Sequence, residues 1–438
     1  MFKKSYIATL ITLASGSMVA LNVNAAGFAL NDHSATASGN ALAGAAAGSA
    51  DISYSYWNPA LFTNADKATV YISGAYLAPS MDVTVNSASK SSLVGGQDVT
   101  SDGKPKKDIV DSTVIPAIYL AVPFSENTIG GVSLNVPFGL SGKYGKDWAG
   151  RYHSSETAVK DLALSFSLAH KVSNWASVGG SIQIHDASVL LAAAIPSTSG
   201  TDGYGELEGD DIATSYSIGV LLEPIDGTRL GIGYRSDIDY TFEGKAKYSN
   251  IDPAVASAKN IEDGVYLYDK ITFPSVLTLS LEQDISQSLK FSATAMKTGW
   301  SSLDEMRIAF GEGDTPGTQA DSVLTFKFED QWFYSAGLTY EATEKLTLRT
   351  GYAKDNSPVK DEYRSARTPD GDRTWISVGA TYDMTPDTSF TFAYTNVSIE
   401  DVTVNRDGTL DEDSVRGKLN ADYKSSADVF SLAMNMAF

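Results

Sequence analysis

The sequence predicts an all-β protein that forms a 14-stranded antiparallel transmembrane β-barrel. Three observations lead to this fold class. The chain opens with an export signal, segments in which apolar and polar residues alternate follow one another from Thr69 onward, and the links between these segments are alternately short and long. Transmembrane barrels combine these features, because each strand turns one face to lipid and the long loops all leave the barrel on the external side.

Residues 1–25 are predicted to be a signal peptide. Lys3 and Lys4 supply the positive start, an apolar stretch follows, and a small-residue cleavage site ends at Ala25. No later apolar run approaches the length of a membrane-spanning helix. The chain has no cysteine, so export brings no disulfide.

The stretch from Ala26 to Leu61 does not have the pattern of a strand. Small residues dominate it, and it closes with Asn58, Pro59 and Ala60. Pro59 fixes its own φ and lacks an amide donor, while Asn58 is suited to an Asx-type turn. Small side chains let a backbone pack closely, as a plug inside a pore requires. The composition fits a flexible tether or a short periplasmic helix equally well.

Strands are recognised by large apolar residues that alternate with small or polar ones. The pattern is clear at 162–169, 229–240, 277–282 and 332–340. In a soluble sandwich the apolar face would point to a core, whereas in a membrane barrel it points to lipid and the polar face lines the interior. The strict alternation of short and long links favours the barrel.

The last predicted strand is also amphipathic. Its apolar face consists of Phe430, Leu432, Met434, Met436 and Phe438. This end resembles that of outer-membrane proteins in general, and the resemblance implies that it is an assembly signal, with Phe438 as the expected contact with the barrel assembly machinery. The alternative is an amphipathic final strand that happens to end in Phe.

Charge and motifs exclude several functions. The net charge is -20 and no basic stripe is present, which argues against nucleic acid. No nucleotide-binding or nucleophile-elbow motif occurs, and the four histidines have no metal-site spacing. We therefore predict no enzyme, no catalytic residue, no metal and no cofactor. The enzymatic alternative is a membrane-embedded hydrolase, for which His153 beside Ser154 is the one loose candidate.

Several blocks of the sequence, taken in order, are similar to one known family. They are Ala26-Gly27-Phe28 with Asn58-Pro59-Ala60, then 135–140 followed by 148–153, then 348–352, 357–359 and 369–375. In these blocks the mature chain resembles the FadL/TodX family of outer-membrane transporters for long-chain fatty acids and hydrophobic compounds. The resemblance implies the outer membrane of a Gram-negative bacterium, and a hatch at 26–62 that plugs the lumen of a barrel at 63–438.

The resemblance also implies a route for the ligand. The ligand is caught between the loops after the fifth and seventh strands, here 192–211 and 243–267. It moves to a tighter pocket beside the N-terminus and leaves sideways where the third strand is kinked. The implied ligand-binding residues are Phe28, Val189, Leu190, Leu191, Ile195, Tyr266, Leu267, Lys327 and Arg349. The implied lateral opening lies at Pro137, Phe138 and Gly139.

The residues themselves allow two interpretations of that opening. Pro137 cannot donate a ladder hydrogen bond, and Gly139 permits a bend. A kink in the third strand is one outcome, and the end of the strand near the rim is the other.

The sequence leaves open which basic residue would bind the carboxylate of a ligand. Positions where the family characteristically places basic residues are apolar here, around 192–194 and Leu324. Besides Lys327 and Arg349, the arginines Arg229 and Arg235 face the lumen by strand parity, where they would also suit ladders with acids such as Asp237 and Asp239.

The expected function is passive uptake of long-chain fatty acids. The alternatives are uptake of other hydrophobic molecules, such as aromatic hydrocarbons, and a general porin. The expected surroundings are outer-membrane lipid and lipopolysaccharide, and the expected state is a monomer.

Overall fold

The computed structural model describes residues 28–103, 105–198, 200–312 and 315–438. The predicted signal peptide and its cleavage site lie outside these residues.

The chain closes into an antiparallel barrel, and the predicted number of 14 strands is confirmed. In chain order the strands are β1 (Thr69–Ala88), β2 (Thr113–Pro123), β3 (Thr128–Lys143), β4 (Glu156–Ser173), β5 (Ala176–Ile195), β6 (Gly203–Ile225), β7 (Thr228–Arg235 and Ile238–Ser249), β8 (Tyr266–Phe273 and Val276–Asp284), β9 (Leu289–Thr298 and Glu305–Glu312), β10 (Ser322–Thr325 and Gln331–Thr343), β11 (Leu346–Asp355), β12 (Arg373–Thr385), β13 (Thr388–Ile399 and Val402–Arg406) and β14 (Leu419–Ala437). Each strand pairs with the next, and β14 pairs with β1 along its length, which closes the barrel.

Among the residues that the structure describes, helical structure is confined to short pieces. The α-helices are Ala35–Ser38, Pro253–Lys259 and Asp413–Arg416, and the 3₁₀-helices are Ile52–Tyr56, Pro59–Asn64, Ser92–Val94 and Trp300–Ser302. A two-residue strand, Thr315–Pro316, folds back on the end of β9. In the described part of the chain, no helix has the length and apolar character needed to cross a membrane.

The alternation that predicted the strands separates lipid-facing from lumen-facing residues. In the first half of β7, Leu230 and Ile232 are 40% and 46% exposed, whereas Gly231 and Gly233, which alternate with them, are buried. A large apolar side chain on the outer face is stable there because lipid, not water, surrounds that face.

The second half of β7 has the opposite phase. After the break at Ser236, the side chains of Ile238, Tyr240 and Phe242 are buried, while Asp237 and Asp239 are exposed. β8 changes phase in the same way between its two segments. The loop-side part of the barrel therefore has an apolar interior in this region, and polar groups on its outer surface.

This change of phase corrects one sequence-based expectation. Asp237 and Asp239 do not line the lumen, so they form no ladder with Arg229 or Arg235. Asp239 instead accepts a hydrogen bond from the Thr272 hydroxyl on the neighbouring strand (2.7 Å).

The two predicted capture loops are also shorter than expected. Most of 192–211 belongs to β5 and β6, which leaves a link at 196–202. In 243–267, β7 continues to Ser249, and the link after it contains the helix Pro253–Lys259. The outward residues at these strand ends, such as Asp210 of β6 and Glu243 of β7, are polar, so the alternation there does not mark a lipid-facing strand.

Candidate functional site

A cavity of about 390 Å³ lies at the loop end of the barrel, between β5, β6, the helix Pro253–Lys259 and the segment before β10. Its apolar lining includes Leu191, Ile195, Leu207, Tyr248, Phe310 and Leu324. Three basic side chains, Lys259, Arg367 and Arg416, also line it. The volume is in the range of small-molecule sites, and the composition suits an amphipathic anion. We call this the outer cavity.

A smaller apolar cavity of about 30 Å³ lies deeper in the lumen. We call it the inner cavity, and Phe28, Leu140, Val159, Val189, Ile271, Leu303, Met306 and Phe326 are among the residues that line it. Leu191, Leu324 and Arg367 line both cavities. The guanidinium of Arg367 therefore stands where the two cavities meet.

Arg367 is held by neutral acceptors only. Nη1 donates to the Thr157 hydroxyl (2.7 Å) and to the Glu156 carbonyl (3.0 Å), and Nη2 donates to the Ala192 carbonyl (3.1 Å). Nε has no partner, and no carboxylate among the described residues lies within 4.0 Å of this guanidinium. Burial lowers the pKa of Arg367 to about 9, so the group stays charged at neutral pH. A buried cation without a counter-charge is costly, and an anionic ligand would remove that cost.

Sequence reasoning missed Arg367. It lies in the link between β11 and β12, where no periodicity indicates the direction of a side chain, and its partners are distant in sequence. The only available signal was a basic residue between two of the family-like blocks.

Four aromatic rings pack beside the inner cavity, and two of them, Phe28 and Phe273, line it. The ring of Phe28 lies 4.9 Å from Phe273 and 4.7 Å from Trp300, and Phe138 lies 5.0 Å from Phe273, measured between ring centroids. We call these four residues the aromatic cluster.

The wall is incomplete next to the aromatic cluster. The ladder between β2 and β3 extends from Pro123↔Ile129 only to Ile118↔Leu134, although both strands continue beyond it. On its other side, β3 shifts register against β4 between Asn135 and Phe138. β3 continues to Lys143, so Pro137 marks a kink and not the end of the strand.

The N-terminal segment takes the place of the missing strand partner. Leu30 N–H donates to the Pro137 carbonyl and Gly139 N–H donates to the Phe28 carbonyl, both at 2.8 Å. These bonds satisfy backbone groups that the kink releases, as required where a barrel wall faces lipid.

The other sequence-predicted ligand residues are divided. Val189 lines the inner cavity and Ile195 the outer cavity. Leu267 is buried in the apolar core that also contains the inner-cavity residues Phe28 and Val189. Leu190 lies on the opposite face of β5 from Val189 and Leu191.

Three further predicted residues lie outside these two cavities. Tyr266 is 47% exposed, with the Lys245 ammonium 4.5 Å from its ring. Lys327 is exposed and lies over the ring of Tyr363. Arg349 donates to the Thr381 hydroxyl on the next strand (2.6 Å).

Residues 28–64, which we call the N-terminal segment, are almost entirely buried. The expected turn at Asn58 is present: Oδ1 accepts from Ala60 N–H (3.0 Å), and Nδ2 donates to the Val220 carbonyl of β6 (3.0 Å). Gly44 N–H donates to the Thr294 hydroxyl of β9 (2.9 Å). Arg229 Nε donates to the Ala47 carbonyl (2.7 Å). Side chains of several strands thus bond to the backbone of this segment.

Asp32 of this segment is expected to make stability depend on pH. The carboxyl is buried, its Oδ1 has no partner among the described groups, and burial raises its pKa from 3.8 to about 6. A raised folded-state pKa contributes stability below the unfolded value, and that contribution is lost as pH rises through 6. Asp32→Asn should therefore raise the melting temperature at pH 7.5 by several degrees and change little at pH 4, as measured by thermal unfolding in detergent.

Asp66→Asn is the matched control, because the Asp66 side chain is 90% exposed. If Asp32→Asn and Asp66→Asn have the same dependence on pH as the wild type, burial of Asp32 does not have this effect.

A buried hydrogen-bond chain joins β4, β5 and β6. His185 Nδ1 lies 3.0 Å from Asp161 Oδ1, His185 Nε2 lies 2.8 Å from the Ser215 hydroxyl, and that hydroxyl donates to Gln183 (2.7 Å). The order resembles a catalytic triad, but Ser215 is enclosed and its proton is directed at Gln183. The chain therefore braces the wall. The Ser154 hydroxyl of the earlier hydrolase candidate lies against Thr157 (3.2 Å).

A closed barrel with an incomplete wall, an apolar interior at its loop end and a buried N-terminal segment defines a class: the outer-membrane transport barrels. Residues 16–438 match the family model described as outer membrane protein transport protein (OMPP1/FadL/TodX). The chain belongs to this family, and it is an outer-membrane protein of the Gram-negative type.

Three similar proteins illustrate the family. The long-chain fatty acid transport protein of Escherichia coli is 26% identical over 423 residues, which cover 89% of this chain and 89% of that protein. The crystal structure of a Pseudomonas aeruginosa FadL homologue has a TM-score of 0.83 at 22% identity, over 94% of this chain and 100% of the other. The P. putida toluene transporter TodX has a TM-score of 0.67 at 18% identity, over 89% and 94%. The solved structures agree with the fold described above, and the relative from Escherichia coli is named as a transport protein.

Proposed function

We propose that this protein takes up long-chain fatty acids across the outer membrane by passive diffusion. The outer cavity captures the ligand and Arg367 binds its carboxylate. The apolar side chains around the inner cavity, which is about 30 Å³, then move apart as the acyl chain passes. The ligand leaves through the gap between β2 and β3. The observation that carries this proposal is the charged Arg367, which lies where two apolar cavities meet and has no carboxylate within 4.0 Å among the residues that the structure describes.

The energetics suit this route. Each buried methylene contributes about 0.8 kcal/mol, so a long acyl chain favours apolar walls over a water-filled pore. A sideways exit would deliver the chain to lipid without crossing water. The sequence contains no ATP-binding motif, so transport would follow the gradient of the ligand.

The proposal includes a closed lumen. We propose that the hatch, residues 26–62, plugs the barrel formed by 63–438. The hydrogen bonds from Asn58, Gly44 and Arg229 support this arrangement.

Uptake of aromatic hydrocarbons is the alternative within the family. A neutral hydrocarbon would fill the apolar cavities but leave Arg367 without a counter-charge, so the site favours an acid. Native mass spectrometry of the purified protein is expected to detect a bound fatty acid, and oleate should compete with it. Competition by toluene in the absence of competition by oleate would replace fatty acids with hydrocarbons.

The lateral exit has its own test. Gly139→Trp places a large ring beside the kink of β3 and should reduce oleate uptake at least tenfold while leaving binding from the external side intact. Gly142→Trp is the matched control on the same strand. A Cβ atom at Gly142 would have one neighbour within 4 Å among the described residues, the Tyr144 ring at 3.9 Å. Normal uptake in a folded Gly139→Trp protein would reject an exit at this position.

Two proposals concern the surroundings. Phe438, which is 71% exposed at the end of β14, would be read by the barrel assembly machinery. The barrel would act as a monomer among outer-membrane lipid and lipopolysaccharide.

A further inference from the structure

A third cavity, of about 30 Å³, lies beside the kink of β3. The N-terminal segment contributes Leu30, Asn31, Tyr56 and Trp57 to its lining, and the kink contributes Pro137 and Phe138. Phe138 also belongs to the aromatic cluster, so this cluster contributes to the lining of both the inner and the third cavity. Its volume holds one or two water molecules, or the headgroup of a ligand, but no acyl chain.

The third cavity contains a buried cation. Arg235 is 8% exposed and stands at the end of the first half of β7. Its Nη2 donates to the Tyr56 carbonyl (2.6 Å), and its guanidinium carbon lies 3.8 Å from the centroid of the Tyr56 ring. Its Nε has no partner among the described atoms.

No carboxylate in the described part of the chain lies within 4.0 Å of Arg235. The buried carboxylate of Asp161 is bonded to His185 (3.0 Å). Burial and the charge of Arg235 lower the pKa of His33 to about 3, so His33 stays neutral beside the same tyrosine. The charge of Arg235 is thus not compensated by a direct ion pair.

The rest of the polar lining can donate hydrogen bonds. Ser217, Thr278 and Thr298 are buried hydroxyl groups on β6, β8 and β9 that line the cavity. The Trp57 indole N–H, from the N-terminal segment, has no partner among the described atoms. A buried guanidinium, several hydroxyls and a free N–H around a small cavity form a site for an anion the size of a carboxylate.

We propose that Arg235 and this cavity bind the carboxylate of the ligand a second time, after it has left Arg367 and passed the aromatic cluster. The inference rests on the proposed function. Arg235 then positions the headgroup beside the incomplete wall while the apolar chain passes into lipid. A ligand without charge forms no ion pair with Arg235 at this second binding site.

The test compares oleate with oleyl alcohol, which has the same chain and no charge. In Arg235→Gln, oleate uptake by cells is expected to fall at least tenfold, oleyl alcohol uptake to stay within twofold, and equilibrium binding of oleate to purified protein to remain. Arg235→Lys should restore most of the oleate uptake.

Arg229→Gln is the matched control. Arg229 also donates to a carbonyl of the N-terminal segment, but it is paired with Glu223 (2.7 Å) and does not line the third cavity. Its replacement should affect both ligands equally.

Equal losses of oleate and oleyl alcohol uptake in Arg235→Gln would reduce Arg235 to a structural support and overturn the proposal. Unchanged oleate uptake would overturn it as well, while leaving the proposed function intact. A wild-type protein that neither binds nor transports oleate would reject the proposed function, and the second binding site with it.

Discussion

Replacing Arg367 with glutamine is expected to weaken oleate binding about 100-fold, which corresponds to roughly 2.8 kcal/mol. Glutamine keeps a polar amide but is shorter than arginine, and it removes the positive charge that lies where the outer and inner cavities meet. The ligand carboxylate would then be buried without a counter-charge. The loss of affinity is measured by titrating the purified protein with oleate and monitoring binding by calorimetry or by tryptophan fluorescence.

Two controls separate charge from folding. Lys360 lies in the same link as Arg367, but it pairs with Glu329 and lines neither cavity. Oleate binding should therefore be unchanged in Lys360→Gln. Oleyl alcohol should bind wild type and Arg367→Gln about equally. An equal loss for the acid and the alcohol would show that Arg367 supports the cavity walls and does not recognise the carboxylate.

Replacing Gly231 with valine is expected to raise the conductance of the barrel in planar bilayers at least tenfold. A Cβ on Gly231 would lie 1.8 Å from the Ala46 carbonyl oxygen, and a Cβ on Gly233 would lie 1.8 Å from the Trp57 carbonyl oxygen. Since backbone packs directly on backbone here, a larger side chain must displace the N-terminal segment. Overpacking of this kind typically costs about 1–3 kcal/mol.

The comparison is with Gly180→Val on β5. A Cβ at Gly180 meets only the Ser217 carbonyl, at 3.7 Å, and does not touch the N-terminal segment. This variant should conduct like the wild type. A folded Gly231→Val barrel with unchanged conductance would contradict the proposal that the hatch closes the lumen.

The sequence by itself determined the architecture. Alternation such as that of Leu230, Gly231 and Ile232 records which side of a strand meets lipid, and this local signal is sufficient to count strands and to assign the external side. The turn at Asn58 could also be predicted, because an Asx turn depends only on the residues themselves. The missing amide donor of Pro137 predicted an interruption of β3, but the residues left open whether it was a kink or the end of the strand.

The tertiary structure alone decided the site. The phase change after Arg235 depends on how β7 breaks against its neighbours, and it transfers Asp237 to the outer surface and Ile238 to the interior. Arg367 lies in a link without periodicity, and its partners Thr157 and Ala192 are about 200 residues away in the chain. Periodicity reports only the direction of a side chain from its own strand. The meeting of distant links inside the barrel depends on closure, which brings β1 and β14 together.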